Sequence, residues 1–441
     1  MRALAWARGL TETGFRKLAI KPQTGTEAIL FTGGNVLYQG ARFLAYLLAA
    51  KLLGPTLYGL WNGLLLLLTN GIYYGHLGVL NAMSREIPLR HGRGDHNGVQ
   101  PIVDSSFSTA LLSSSLLAVV CLAASFAAED PANALGLRLL APLLVLEQLQ
   151  FFYELVLRSH GLFRAVAIQQ VLLAGLLLGV VLGLTWLAGF SGFLWGHVVV
   201  FLAVVAFLTW SSPVRPRLRF DRCHMMALAR IGFPIVLTGF AYGMLTSLDR
   251  LMVLSFLGKT QLGYYSLAFM AYGTMMLIPR SVFLMVYPRM AREYGRTGDP
   301  RALRSLVYRP IGLLLVIMVP TLAAIYFFGP WFIGRFLPQY VPGIPAFRLT
   351  LLGVFFLSFV GGFGNLLTIV DRQKLYLAVQ VFALGLAFVL NLIAIKAGWG
   401  ILGVAGATLV AQVIYGLTLW TCARRVLATA PGPVFAGKDP A

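Results

Sequence analysis

Apolar residues occur along this chain in long runs separated by short polar connections. An α-helix of about 20 apolar residues crosses the core of a bilayer, and inside a membrane the backbone must satisfy its hydrogen bonds within such helices. We therefore predict an all-α integral membrane protein with about twelve transmembrane helices. The predicted spans cover residues 29–51, 58–82, 104–127, 134–157, 165–187, 192–211, 231–256, 262–288, 306–328, 346–370, 375–396 and 401–423.

The composition agrees with a membrane protein, because 58% of the residues are hydrophobic and only 11% are charged. The net charge of +20 is compatible with a nucleic-acid ligand, but the positions of the basic residues favour another explanation. Alternate connections hold 26 of the 35 Lys and Arg residues, as expected where these connections lie on the cytoplasmic side. We predict cytoplasmic termini and no nucleic-acid partner.

A basic segment with prolines, residues 213–230, interrupts the middle of the chain. We predict a cytoplasmic N-terminal segment (1–27), a first lobe of six helices (28–212), this linker (213–230), a second lobe of six helices (231–423) and a cytoplasmic tail (424–441). The first 27 residues lack the apolar run of a cleavable signal, so we expect the first span to remain in place.

The two lobes align with each other after a shift of 204 positions. This shift pairs Gly54 with Gly258 and Gly59 with Gly263, at equivalent places in the predicted topology. An even number of helices in each lobe predicts a parallel repeat, with a pseudo-two-fold axis along the membrane normal and a substrate site between the lobes.

Polar side chains follow one face of the first predicted helix. Asn35, Gln39, Arg42 and Tyr46 recur at intervals of four, three and four residues. An ionisable group inside a span normally faces a cavity or a partner, so these residues and His76 of the second helix are candidates for substrate binding. The alternatives are a snorkelling or structurally paired Arg42, and hydrogen bonding between helices for His76.

Further ionisable residues occur in the predicted second lobe. Arg280 follows Pro279, which permits a kink, and it either binds a phosphate or snorkels towards the interface. Asp249 and Arg250 lie near the outer end of their helix, where they are candidates for ion coupling and substrate binding or form an interfacial ion pair.

The fourth predicted helix carries Glu147 and Glu154 seven residues apart, and therefore on one face. Two carboxylates inside a span are candidates for coupling to H⁺ or Na⁺. The alternative for Glu154 is an ion pair with Arg158, one turn further on.

The cysteines at 121, 223 and 422 have no spacing typical of a disulfide or zinc site. We predict no catalytic residue and no metal or other cofactor.

Residues 248–251 (LDRL), 256–258 (FLG) and 262–268 (LGYYSLA) resemble the opening of the second half of bacterial polysaccharide flippases. Residues 52–55 (LLGP) and 57–61 (LYGLW) echo the pattern in the first half. These flippases belong to the multidrug/oligosaccharidyl-lipid/polysaccharide exporter superfamily. Lipid II flippases usually carry additional C-terminal helices, so the layout favours the O-antigen or exopolysaccharide branch.

This resemblance implies a MATE-like, two-lobed flippase of the bacterial inner membrane. It implies a substrate in which an oligosaccharide is linked to undecaprenyl pyrophosphate, moved from the cytoplasmic to the periplasmic leaflet by alternating access. Membrane lipid and polysaccharide assembly proteins are the other implied partners. The basic residues Arg42, Arg250 and Arg280 suit such a cargo, because the arginine fork matches phosphate oxygens.

Two other functions are alternatives to a flippase. A cation-coupled multidrug extruder on the same fold would hold cationic drugs with acidic and aromatic groups, and the surplus of arginines inside the spans argues against it. A membrane glycan polymerase or ligase would need an extramembrane region for its acceptor, whereas the longest predicted external segment, residues 329–345, is short.

Overall fold

The computed structural model of the protein describes residues 22–428 with the exception of 93 and 96. Most of the predicted segments 1–27 and 424–441 lies outside these residues. The α-helices are α1 Pro22–Tyr74, α2 Val79–Gly92, α3 Val99–Phe126, α4 Pro131–Ser159, α5 Phe163–Leu176, α6 Leu182–Ser211, α7 Arg222–Leu245, α8 Leu248–Met252, α9 Lys259–Met275, α10 Leu277–Thr297, α11 Arg304–Phe336, α12 Ile344–Ile369, α13 Gln373–Lys396 and α14 Gly400–Ala428. Single π-helical turns at Leu177–Val181 and Val253–Leu257 follow α5 and α8, and 3₁₀ turns at Pro300–Leu303 and Pro338–Gly343 precede α11 and α12.

The helices are apolar enough to form a membrane domain. Within the described part of the chain, nine helical segments have the length and hydropathy of a membrane span, or ten when a bent pair in α7 is counted as one span. No β-strand occurs among these residues. The predicted fold class is therefore confirmed, while the count of twelve spans and the cytoplasmic termini remain predictions.

Two of the longest segments are broken by glycine. The chain leaves helical geometry inside α1 at Gly54 (φ 73°, ψ 171°) and inside α6 at Ala188 and Gly189 (φ 57° at the glycine). Glycine adopts positive φ without a steric cost from Cβ, and Pro55 after the first break has no N–H to continue the preceding helix. Both breaks coincide with predicted connections between spans.

Prolines account for the interruptions near the start of the second half. Two parts of α7, His224–Pro234 and Val236–Leu245, are bent by 47° relative to each other. The chain is also interrupted between α9 and α10, because Pro279 has no N–H for the carbonyl of Met275, four residues earlier. Pro279, which was predicted to permit a kink, therefore coincides with an interruption of one residue between the two helices.

The predicted seventh span differs from the structure at its beginning. The helix starts at Arg222, inside the predicted linker 213–230, rather than at residue 231. Asp221 explains this start, because its carboxylate accepts the backbone N–H of His224 at 3.2 Å and so caps the first turn. The linker is thus part extended chain and part helix.

The chain forms two compact units. Of the described residues, the first unit contains those up to Leu53 and Leu67–Leu237, and the second contains Gly54–Leu66 and those from Thr238. In the first unit α4 packs against α3 and α6; in the second unit α14 packs against α12 and α13. The boundaries differ from the predicted lobes, since residues 54–66 join the second unit and residues 213–237 the first. The lobes themselves remain a prediction.

A close approach of two glycines explains the place of residues 54–66. A Cβ added to Gly59 would lie 1.8 Å from the carbonyl oxygen of Lys259, and one added to Gly263 would lie 1.9 Å from that of Pro55. The start of the second predicted span therefore packs backbone to backbone on α9, within the second unit. The glycine that opens each segment has the same conformation, with φ 73° and ψ 171° at Gly54 and φ 86° and ψ 174° at Gly258.

Candidate functional site

The first unit contains a polar cluster between α1, α4 and α6, formed by Tyr38, Arg42, Tyr46, Glu147 and His197 (the first-unit cluster). The guanidinium of Arg42 donates a hydrogen bond to the hydroxyl of Tyr38 and lies 5.7 Å from the ring centre of Tyr46. It also interacts electrostatically with the carboxylate of Glu147. Arg42 therefore contacts two aromatic residues and interacts at longer range with one acidic residue inside the same unit.

The polar face predicted for α1 turns inward. Asn35, Gln39, Arg42 and Tyr46 are all half-buried, whereas Val36, Leu37, Phe43 and Leu44 on the other side of the helix are exposed. Exposed apolar side chains on a transmembrane helix suit contact with lipid. The helical spacing of the polar residues therefore identified the inward face, and their role in substrate binding stays a prediction.

The two glutamates of α4 have different environments. Glu154 forms an ion pair with Arg158 and accepts a hydrogen bond from Nε2 of Gln169 at 3.4 Å. The structural alternative for Glu154 is thus the arrangement found. Glu147, two turns earlier, lies in the first-unit cluster with Arg42, which leaves it the stronger candidate for ion coupling.

His197 belongs to the cluster although the sequence analysis did not select it. Its ring is almost completely buried in α6, and Nδ1 lies 2.8 Å from the carbonyl oxygen of Phe193. A carbonyl only accepts, so Nδ1 carries the proton and Nε2 faces the hydroxyl of Tyr46 at 3.5 Å. The missed signal was an ionisable side chain inside a span.

His76 lies in a turn rather than along the polar face of a helix. Its buried ring accepts the backbone N–H of Gly78 on Nδ1 at 3.2 Å and stacks on Phe151. Gly78 has φ 87°, and a Cβ there would lie 2.2 Å from the carbonyl carbon of Gly232. The histidine therefore stabilises a tight turn that packs against α7.

The second unit contains a cavity of about 360 Å³ (the second-unit cavity). Arg280 lines it and is exposed, in the first turn of α10. The other lining residues are Tyr242, Met276, Pro279, Phe283, Tyr287, Leu357, Ser358, Gly361 and Asn365. None of the described residues that line the cavity is acidic, so Arg280 gives it a positive potential.

Asp249 and Arg250 are enclosed within the second unit. The carboxylate of Asp249 accepts a hydrogen bond from the hydroxyl of Tyr265 at 2.7 Å. The guanidinium of Arg250 donates to the carbonyl oxygen of Thr246 at 3.2 Å and lies 3.5 Å from the ring centre of Phe269. Both side chains are buried, at 9% and 8% exposure. These contacts, each with a different neighbour, are typical of side chains with structural roles, and binding or ion coupling at the two residues stays a prediction.

The structure therefore distributes the predicted site residues over several places. Arg42, Tyr46 and Glu147 come together in the first unit, Arg280 lines a cavity in the second, and Arg250 is enclosed. Within the part of the chain that the structure describes, no three His, Cys, Asp or Glu side chains are grouped as metal ligands.

Comparisons with known proteins give one family match and a shared fold. The profile of a family described as "Polysaccharide biosynthesis protein" matches residues 48–340. No curated protein matches the chain. Among solved structures, an inward-facing multidrug resistance MATE family transporter of the MOP superfamily is 16% identical, with a TM-score of 0.76 over 91% of this chain and 98% of that chain.

Two further solved structures have the same fold. The lipid II flippase MurJ in an inward closed conformation is 16% identical, with a TM-score of 0.71 over 90% of this chain and 87% of that chain. A MOP superfamily transporter from Pyrococcus furiosus is 15% identical, with a TM-score of 0.64 over 92% of this chain and 96% of that chain. At these identities the likeness establishes the fold.

Proposed function

We propose that this chain, which belongs to the polysaccharide biosynthesis protein family, is a flippase for an oligosaccharide linked to undecaprenyl pyrophosphate. It moves this lipid from the cytoplasmic to the periplasmic leaflet of the bacterial inner membrane by alternating access. The family supports a cargo of polysaccharide precursors, and the fold shared with a protein named as a lipid II flippase supports translocation of a lipid-linked sugar.

The observation that carries this proposal is the position of Arg280 in the second-unit cavity. A pyrophosphate presents several anionic oxygens, and a guanidinium binds such oxygens with paired, charge-assisted hydrogen bonds. The cavity volume of about 360 Å³ is within the range of small-ligand sites. It therefore suits the charged head of the lipid, while the polyprenyl chain stays in the bilayer.

Energy for transport comes in this proposal from an ion that exchanges at Glu147. The carboxylate lies in a membrane span beside Arg42 and Tyr38, and ionisable groups at such positions are typical of proton and ion relays. H⁺ or Na⁺ is the expected ion. Binding of the ion would weaken the attraction between Glu147 and Arg42, and this change would alter the packing of α1 on α4.

The experiment that tests the proposal measures translocation of a fluorescent undecaprenyl-pyrophosphate oligosaccharide in proteoliposomes. The native chain is compared with Arg280→Ala and with Arg335→Ala, a matched loss of an exposed arginine in the same unit but outside the cavity. We expect Arg280→Ala to reduce transport by about tenfold or more, because a hydrogen bond to a charged group contributes about 1.5–3 kcal/mol. Arg335→Ala should transport as the native chain does.

A multidrug extruder is the second candidate function. The first-unit cluster favours it, because a carboxylate at Glu147 beside Tyr38 is the kind of site that holds an organic cation. The two functions give opposite results in the same vesicles. Extrusion of a cationic dye, together with no transport of several undecaprenyl-pyrophosphate oligosaccharides, would replace the flippase proposal.

A further inference from the structure

The non-helical part of the linker, residues 213–221, is fixed along the first turns of α3 (the strap). The backbone N–H of Arg217 donates to Oδ1 of Asp104 at 2.9 Å, and the backbone N–H of Arg219 donates to Oγ of Ser108 at 2.8 Å. Gln100 completes the attachment by donating from Nε2 to the carbonyl oxygen of Arg215 at 3.0 Å. The strap is therefore held by its backbone, which leaves its side chains available.

The side chains that hold the strap are buried and are themselves fixed by hydrogen bonds. Asp104 and Ser108 are buried, and they lie one helical turn apart on α3. Oδ1 of Asp104 also accepts a hydrogen bond from Nε2 of Gln100 at 2.8 Å, and Oγ of Ser108 donates to the carbonyl oxygen of Asp104 at 2.9 Å. Because strap N–H groups two residues apart meet acceptors one helical turn apart, the strap is extended between Arg217 and Arg219.

An extended chain places alternate side chains on opposite faces, and the strap has two chemically different faces. Arg215, Arg217 and Arg219 occupy one face and are all exposed. Leu218 and Phe220 occupy the other and are 60% and 61% exposed. Two large apolar side chains exposed beside three cations are typical of a surface at the membrane–water interface, where apolar groups meet acyl chains and arginines meet phosphates.

We propose that the strap is a binding site for anionic phospholipid headgroups at the surface of the bilayer. Arg215, Arg217 and Arg219 contact the headgroup phosphates, and Leu218 and Phe220 enter the boundary between headgroups and acyl chains. The repeat of about 6–7 Å between alternate residues of an extended chain positions the three guanidinium groups as a row. Asp104 and Ser108 fix that row relative to α3 and so act as positioning residues.

The test measures phospholipid binding to the purified full chain by native mass spectrometry, with phosphatidylglycerol and phosphatidylcholine as probes. We compare the native chain with the triple variant Arg215→Gln, Arg217→Gln and Arg219→Gln. The matched control is Arg289→Gln, Arg292→Gln and Arg309→Gln, which removes the same charge from three exposed arginines of another predicted cytoplasmic segment. The assay requires no transport, so its failure is separate from failure of the proposed function.

We expect the strap variant to lose at least about tenfold in affinity for phosphatidylglycerol, since each arginine near an anionic surface contributes about a fivefold factor. The control variant and binding of phosphatidylcholine should change less than about twofold. An equal loss in the strap and control variants would mean that net charge alone attracts the lipid, and would overturn the proposal.

A second comparison tests the fixed geometry. Asp104→Ala removes the acceptor for the N–H of Arg217 and leaves all three strap arginines in place. If the attachment to α3 positions the three arginines, this variant should lose about threefold or more in affinity for phosphatidylglycerol. Its thermal unfolding temperature is measured as well, to show that it is folded. Native affinity in a folded Asp104→Ala protein would show that the attachment to α3 has no part in binding.

A spin label distinguishes the two faces. Nitroxides are attached at Phe220→Cys and, separately, at Arg217→Cys, in a chain whose three native cysteines are replaced by serine. In bilayers, we expect the label at 220 to meet dissolved oxygen more often than a water-soluble nickel complex, and the label at 217 to show the reverse. Equal access of the nickel complex to both positions would contradict insertion of the apolar face.

Discussion

The hydroxyl oxygens of Thr56 and Thr260 lie 3.0 Å apart, and the two residues are separated by 204 positions. This separation equals the offset that aligns the two halves of the sequence, so two equivalent residues contact each other. Gly59 and Gly263 have the same relationship, since the Cβ of either would meet the backbone of the other segment. Both contacts lie within the second unit, so the offset seen in the sequence also relates residues that meet in the structure.

We predict that Gly59→Ala and Gly263→Ala each destabilise the protein by at least about 1–3 kcal/mol, the usual cost of an overpacked core position. The added methyl groups would lie 1.8 Å and 1.9 Å from carbonyl oxygens, and neither oxygen belongs to a flexible side chain. The measurement is thermal unfolding in detergent, followed by intrinsic fluorescence.

Gly385→Ala is the control for this prediction. It changes a helical glycine in the same unit whose added Cβ would meet nothing within 4 Å. We expect a neutral or slightly stabilising effect, because alanine is the better helix former by about 1 kcal/mol. Equal unfolding temperatures for all three variants would exclude the close contact of Gly59 with Gly263.

Much of this fold follows from periodicity and composition. Long apolar runs predict the helices, and Gly54 and Gly258 mark equivalent breaks that the structure shows with the same backbone conformation. The sequence could not assign residues 54–66 to the second unit, since that depends on the approach of Gly59 to α9. Contacts between segments two hundred residues apart leave no local pattern.

The candidate site was predictable to a smaller extent. Helical spacing places Arg42 on the inward face of α1, but it does not reveal the electrostatic interaction of Arg42 with Glu147 of α4. The same spacing makes His76 a candidate for substrate binding, whereas in the structure its ring accepts a hydrogen bond from the backbone N–H of Gly78 in a turn. The polarity of a residue in a span predicts that it avoids lipid, and only the packing decides what it meets.

The relation between Arg42 and Glu147 predicts how the two charges act in transport. We expect Glu147→Gln to abolish stimulation of transport by an imposed ion gradient, because the amide has no charge to exchange an ion. Flipping down a substrate gradient should continue at a reduced rate. The measurement is lipid translocation in proteoliposomes with and without a pH or Na⁺ gradient.

Glu129→Gln serves as the control for this prediction, since Glu129 is an exposed acidic residue of the same unit. A double variant with Arg42→Gln and Glu147→Gln should be more stable than Arg42→Gln alone, because removing one partner leaves the other charge uncompensated. Gradient stimulation that persists in Glu147→Gln would remove this residue from ion coupling.

His76 gives a prediction that separates a structural role from substrate contact. Asparagine accepts the N–H two residues ahead in an Asx turn, which is the bond that Nδ1 of His76 accepts from Gly78. We therefore expect His76→Asn to be more stable than His76→Ala by about 1 kcal/mol, the usual contribution of a hydrogen bond. Thermal unfolding measures this difference.

The transport rates of the same two variants complete that test. If His76 acts through the turn, transport per folded molecule should be similar in His76→Asn and in the native chain. Gly78→Ala should resemble His76→Ala, because a side chain at φ 87° is strained and would collide with Gly232. A native unfolding temperature combined with lost transport in His76→Asn would instead support direct contact with substrate.

The bond between Tyr265 and Asp249 gives the last prediction. The hydroxyl of Tyr265 donates to a buried carboxylate oxygen at 2.7 Å, so Tyr265→Phe leaves that oxygen without this donor. We expect a loss of stability of about 1.5–3 kcal/mol, the contribution of a hydrogen bond to a charged group. The variant keeps the apolar contacts of the ring with the surrounding core, where Val253 and Leu262 are fully buried.

Tyr294→Phe is the matched control, since it removes a hydroxyl from a half-buried tyrosine in the same unit. A change within about 0.5 kcal/mol is expected for a substitution away from such a network. Transport should fall in Tyr265→Phe only in proportion to the folded protein, as a structural role of Asp249 predicts. If Tyr265→Phe has native stability but its transport no longer responds to an ion gradient, Asp249 would instead be a residue that couples transport to the ion.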